Sequence, residues 1–145
     1  MIRPVLAGLA LAIGVTAALA QSDPITERKN LMKANGAAIR QGTQMVRGEA
    51  PFDISKAQEI LRTFAVTADK GHTYFPETSK TGGQTEASPK IWESQADFRK
   101  RFDDWAADIK KAAANTKDLE TFKAEFATVT KACGSCHETY RVRKS

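Results

Sequence analysis

From Leu119 onward, Leu119, Phe122, Phe126, Val129, Cys133, Cys136 and Tyr140 recur at intervals of three and four residues. That spacing returns to one face of an α-helix at every turn, so the segment carries a continuous apolar stripe. A helix of this kind draws most of its stability from covering the stripe, which demands helical or sheet neighbours. It also places the only two cysteines of the chain on the inward seam.

Three earlier stretches share the period and supply helical neighbours. Between about Pro24 and Arg47, Ile25, Met32, Ile39 and Val46 recur every seven residues, with Leu31, Ala38 and Met45 beside them. Gly48-Glu49-Ala50-Pro51 ends that helix. Asp53, or Ser55 with Gln58 three residues on, can cap a second helix bearing Ala57, Ile60, Leu61, Phe64 and Ala68, which stops near Gly71. A third helix follows Ser94 and sets Phe98, Phe102, Trp105 and Ile109 on one face, before Asn115-Thr116 breaks and recaps the chain. Between Gly71 and Pro89 the periodicity disappears into Gly, Thr, Ser, Pro and Glu, which predicts one long loop. No Val/Ile-rich alternating run interrupts this order.

The expectation is an all-α chain, an antiparallel up-down-up-down four-helix bundle of the sort whose interior commonly holds a cofactor. Gly36 and Gly42 fall inside the first helix, where glycine costs up to about 1 kcal/mol. Either something approaches that backbone closely or the two are tolerated accidents.

The first twenty residues stand apart. Met1-Ile2-Arg3-Pro4 is a short basic region, Val5 to Ala17 is apolar, and Ala18-Leu19-Ala20 is a small-x-small cleavage pattern. The apolar run is shorter than the ~20 residues of a spanning helix. The pattern predicts a secretory signal over residues 1–20, cleaved after Ala20, and a mature domain over residues 21–145. Loss of Arg3 leaves 21 basic residues against 17 acidic ones, so the formal charge falls from +5 to +4. The basic residues are dispersed, which argues against a nucleic-acid surface and supports at most a weak preference for acidic partners. No later segment reads as a membrane span, so the mature protein is expected to be soluble in the exported compartment, the periplasm of a Gram-negative cell.

Cys133-Gly134-Ser135-Cys136-His137 is a C-x-x-C-H sequence, the attachment signature of a c-type haem. The spacing has a chemical reason: two thiols add to the two vinyl groups of one ring, and the adjacent His137 is held beneath the iron as an axial ligand. A covalent link also suits an exported protein that could lose free haem. A dithiol redox pair is the chemical rival, but such pairs favour an exposed helix N-terminus, where the thiolate is stabilised. Here the cysteines come late in a long amphipathic stretch. A zinc site lacks ligands of the preferred kind, with only two histidines available and one distant.

With these residues in view the chain resembles the class II c-type cytochromes, the group of cytochrome c' and its low-spin c-556 relatives. The resemblance covers residues 21–145 and rests on Arg28 and Met32 in the first helix, Pro89-Lys90-Ile91-Trp92 before the third, and Cys133 to His137 followed by Tyr140-Arg141. It implies a four-helix bundle with one covalently bound haem c per chain. It further implies a propionate contact from Arg28 and a position for Met32 facing the open side of the iron. Helical geometry agrees, since residues four apart share a face.

A methionine there looks like the c-556 type, in which His and Met ligation favours electron transfer. The alternative is a five-coordinate cytochrome c' binding small gases such as nitric oxide or carbon monoxide, with Met32 as an ordinary core residue of its heptad. Arg141 stands one turn beyond His137, either as a charge beside the proximal imidazole or as a solvated cation at a helix end. Lys29 and Asn30 flank Arg28 and could also reach a propionate. Met45, Trp92, Phe98 and Trp105 read as packing, and His72 as a surface or loop-ordering residue. The expected function is that of a periplasmic one-electron carrier and not an enzyme. Its partner would be an unidentified redox protein, and the chain would act as a monomer or homodimer without nucleic acid or membrane insertion.

Overall fold

The computed structural model describes residues 23–142. The signal-sequence expectation for residues 1–20 lies outside them. Helix α1 spans Pro24–Val46, α2 Ile54–Lys70, α3 Lys90–Glu93, α4 Gln95–Asn115 and α5 Leu119–Tyr140. The four long helices form the bundle: α1 packs on α2, α2 on α4, α4 on α5, and α5 closes back on α1. Among the described residues no helix is long and apolar enough to cross a membrane.

Each long helix except α4 starts at an aspartate that satisfies otherwise orphaned backbone N–H groups. Asp23 accepts from the Thr26 amide at 2.9 Å, with Pro24 at the first helical position. Asp53, rather than Ser55, caps α2, accepting from the Ser55 and Lys56 amides at 2.8 and 3.1 Å. The break after α4 does fall at Asn115-Thr116, but the cap of α5 is Asp118, paired reciprocally with Thr121. Ser94, with φ −136° and ψ 51°, separates α3 from α4. Lys90-Ile91-Trp92 therefore forms a helical turn of its own.

The connection from Gly71 to Pro89 is less irregular than its composition suggests. It holds two short 3-10 turns, Gly71–Tyr74 and Glu77–Ser79. Its last part meets the end of α5, where Ala87 and Arg141 form an isolated antiparallel bridge. The Ser88 amide donates to the Tyr140 carbonyl at 3.0 Å, and the Val142 amide to the Glu86 carbonyl at 2.8 Å.

Two buried clusters fill the interior. The larger contains Met45, Ile60, Leu61, Phe64, Trp105, Ile109, Phe122, Phe126 and Val129. The smaller, formed by Ile91, Trp92, Phe98, Phe102 and Tyr140 with Phe75 and Cys136 against it, lies where the long connection meets α4 and α5. Met45 and Trp92 are thus packing residues, whereas Phe98 and Trp105 pack in these clusters and also border the cavity described below; the Trp105 indole N–H is satisfied by the Val129 carbonyl at 3.0 Å.

Only one of the two helical glycines of α1 serves close approach of another protein side chain. A Cβ at Gly42 would stand 2.4 Å from Cε2 of Phe126, whereas one at Gly36 would meet nothing nearer than Arg40 Nη1 at 3.8 Å.

Candidate functional site

Between the two clusters, α1, α4, α5 and the end of the long connection line a partly open cavity of about 720 Å³. That is within the 300–1,000 Å³ usual for sites that bury a small molecule or cofactor. The helical period decides which side chains reach it. On α1, Arg28, Met32, Asn35, Gly36 and Ile39 make one stripe along the wall, and on α5, Cys133, Cys136, His137 and Tyr140 make another. All six residues singled out from the sequence, namely Arg28, Met32, Cys133, Cys136, His137 and Arg141, line this one space.

Both cysteines are free thiols, partly buried on α5. Burial pushes both thiols above their ordinary value, although the Arg101 charge works against this at Cys136. A dithiol redox pair depends on the opposite shift, because the thiolate is the reactive species. The local environment thus disfavours thiolate chemistry and leaves two neutral thiols facing an apolar cavity. Desolvation lowers the proton affinity of His137, and the Arg141 charge lowers it further, while Glu86 opposes both. A neutral imidazole is the form that can ligate a metal. Two thiols one helical turn apart with an adjacent neutral imidazole fit the covalent haem attachment that the C-x-x-C-H sequence implies.

Met32 is 38% exposed, and of the exposed large hydrophobic residues among those described, which also include Ile54, Val66 and Val142, it alone lines the cavity. It does so from α1, while His137 does so from α5.

Arg28 lines the cavity yet is only 5% exposed. Its guanidinium is engaged by the long connection: Nη1 donates to the Tyr74 carbonyl and the Ser79 hydroxyl, and Nη2 to the Ser79 carbonyl and Thr85 Oγ1. It also sits 4.6 Å from the centre of the Phe75 ring, within cation–π range. Lys29 lines the cavity as well, but Asn30 does not.

Arg141 follows the last residue of α5 and pairs with Glu86, Nε to Oε2 at 2.6 Å. His72 lies in the first 3-10 turn, 6.0 Å from the Phe102 ring centre, outside the cavity lining.

The sequence reading did not single out Asn35, Arg101 or residues 84–87 as part of the site, although all line it. Asn35 had a usable signal, because it falls seven residues after Arg28 on the same stripe. Arg101 and residues 84–87 had none, since they arrive through tertiary contacts. Arg101 and Tyr140 meet at Asp97, whose Oδ2 accepts from Arg101 Nε at 3.0 Å and from the Tyr140 hydroxyl at 2.5 Å.

Comparison with known proteins gives the family and the fold. The family model described as cytochrome c' matches residues 23–141. A cytochrome c' from Rhodopseudomonas palustris is 40% identical over 140 residues, covering 97% of this chain and 95% of that protein. A cytochrome c-556 from the same organism is 33% identical over 145 residues, covering 97% of each. The solved structure of the R. palustris cytochrome c' superposes with a TM-score of 0.82 at 40% identity, over 86% of this chain and all of that one.

Proposed function

The chain belongs to the cytochrome c' family, and from that premise we propose that it is an exported electron carrier whose single haem c is attached at Cys133 and Cys136 and ligated by His137 and Met32. The haem, when bound, supplies an iron that cycles by one electron, and no substrate is transformed.

The observation that carries the electron-transfer reading is the placement of Met32. A large apolar side chain, 38% exposed, faces the cavity from α1, while His137 faces it from α5. A thioether ligand raises the reduction potential of a haem, and a six-coordinate iron changes little between oxidation states. Cys133 and Cys136 would supply the thiols and His137 an imidazole whose proton affinity desolvation lowers, and the lining combines apolar side chains with charged ones. Arg28 would contribute positive charge at the propionate edge in addition to its bonds to the long connection. Arg141 brings a second charge near the imidazole. The signal pattern over residues 1–20 supports a periplasmic location, and the charge of +4 after its removal favours a redox partner with an acidic docking surface.

A second reading is favoured by the higher identity to a cytochrome c' than to a cytochrome c-556, 40% against 33%. In it Met32 packs above an open iron position and small gases bind there.

Optical spectra of the purified protein, oxidised and reduced, before and after carbon monoxide, separate the two. Sharp low-spin bands, a methionine-to-iron charge-transfer band and little response to carbon monoxide are expected. Broad high-spin bands that shift with carbon monoxide would replace the carrier reading with the gas-binding one.

A further inference from the structure

Asn35 is a polar residue on the wall that carries Met32, and neither reading above uses it. It is 5% exposed and lines the cavity, one turn along α1 from Met32. Its Oδ1 accepts a hydrogen bond from Thr67 Oγ1 of α2 at 3.0 Å. Thr67 is fully buried, so the bond is shielded from water, and the same hydroxyl also reaches the Thr63 carbonyl at 3.5 Å.

With its carbonyl oxygen turned toward α2, the amide Nδ2 has no hydrogen-bond partner among the described residues. Nor is it among the fully enclosed unpartnered atoms, which are His72 Nδ1 and Thr116 Oγ1. The remaining access of this nearly buried side chain is therefore to the cavity it lines. Arg28, the other buried donor of the stripe, is engaged by Tyr74, Ser79 and Thr85.

We propose that Asn35 is the hydrogen-bond donor on the α1 side of the haem, for a small iron-bound ligand that carries an acceptor atom, such as an anion or a bent diatomic oxide. A nearly buried donor favours ligands that accept from it over ligands that do not, because a hydrogen bond to a charged acceptor is stronger than one to a neutral acceptor. Carbon monoxide is a poor acceptor and gains little. The inference rests on haem attachment at Cys133 and Cys136, and where Met32 ligates the iron it applies to the position that Met32 vacates.

The test uses holoprotein carrying Met32→Ala, in which the iron position facing α1 is open under either reading of Met32. The ferric form is titrated with fluoride and the ferrous form with carbon monoxide, with and without Asn35→Leu. Loss of one charge-assisted hydrogen bond is expected to weaken fluoride binding about tenfold. Carbon monoxide affinity should change less than about twofold, and the bound C–O stretch should rise. Fluoride affinity that is the same with and without Asn35→Leu overturns the proposal.

Thr67→Val keeps Asn35 but releases its orientation, and should cost fluoride affinity about threefold, part of the loss for the bond itself. If Asn35→Leu does not accept haem, Thr67→Val decides, and a fluoride affinity equal to that of the Met32→Ala protein overturns the proposal. The spectrum of the unaltered protein decides Met32 separately, so the two readings fail independently.

Discussion

Arg28 and Ser79 are bonded twice, the guanidinium donating from Nη1 to the Ser79 hydroxyl at 3.0 Å and from Nη2 to the Ser79 carbonyl at 3.2 Å. With the bonds to Tyr74 and Thr85, α1 thereby holds the connection that forms one rim of the cavity. Arg28→Met keeps the length of the side chain and removes these bonds. It is expected to cost about 2–4 kcal/mol of stability, since the loop carbonyls and hydroxyls lose a charged partner. Denaturant unfolding measures the loss, and faster amide exchange at Ser79 relative to α2 would locate it in the connection. Unchanged stability would mean that the loop is held by its own turns.

Gly42 and Gly36 should respond oppositely to alanine. A methyl at Gly42 collides with Phe126, whose ring is packed against Phe64 and Phe122, so Gly42→Ala is expected to destabilise by about 1–3 kcal/mol despite the gain in helix propensity. Gly36→Ala meets only the end of Arg40 among protein atoms, but Gly36 lines the cavity, so it is in the haem-free protein that the change should be neutral or stabilising by up to about 1 kcal/mol. Thermal melts of the two variants beside the parent check the order.

Met32→Leu is expected to turn a six-coordinate low-spin iron into a five-coordinate high-spin one that binds carbon monoxide, while the haem stays attached through the cysteines. The reduction potential should fall with the loss of the thioether. Spectra of variant and parent that coincide would make Met32 a packing residue and remove the basis for His/Met ligation.

Asp97 supplies a pH dependence that can be signed. The Tyr140 hydroxyl bond first, and the Arg101 bond second, hold its carboxyl below the ordinary 3.8. A depressed carboxyl contributes stability that is present above its unfolded value and is lost as pH falls through the folded one. Tyr140 shifts the other way, raised above 10.0 by burial first and then by the bond to Asp97. Its contribution is present below 10.0 and lost as pH rises through the folded value. Asp97→Ala should therefore lower Tm across the range between those limits, and the gap to the parent should close below about pH 3.8. A gap that is constant down to pH 2 would show that the carboxylate contributes nothing through its charge.

Much of this protein was legible in the sequence because its information is periodic or local. Apolar residues three and four apart determined the four long helices, since burial of a stripe leaves a helix few other solutions. The C-x-x-C-H spacing determined that two thiols and an imidazole share one end of α5, because covalent chain geometry alone places them there. The one-turn separation of Arg28 and Met32 likewise put both on one face of α1.

Tertiary structure decided what depends on contacts between distant residues. Whether Gly42 or Gly36 served close approach turned on where the Phe126 ring lies, eighty-four positions beyond Gly42 in the chain. The engagement of Arg28 by Tyr74, Ser79 and Thr85, and the pairing of Arg141 with Glu86, join residues about fifty apart through a segment without periodicity. Asn35 became a candidate donor only because Thr67 of another helix takes its carbonyl oxygen. A hydrogen bond needs its partners within about 3 Å and correctly aimed, and sequence spacing fixes such geometry within one helix but not between two.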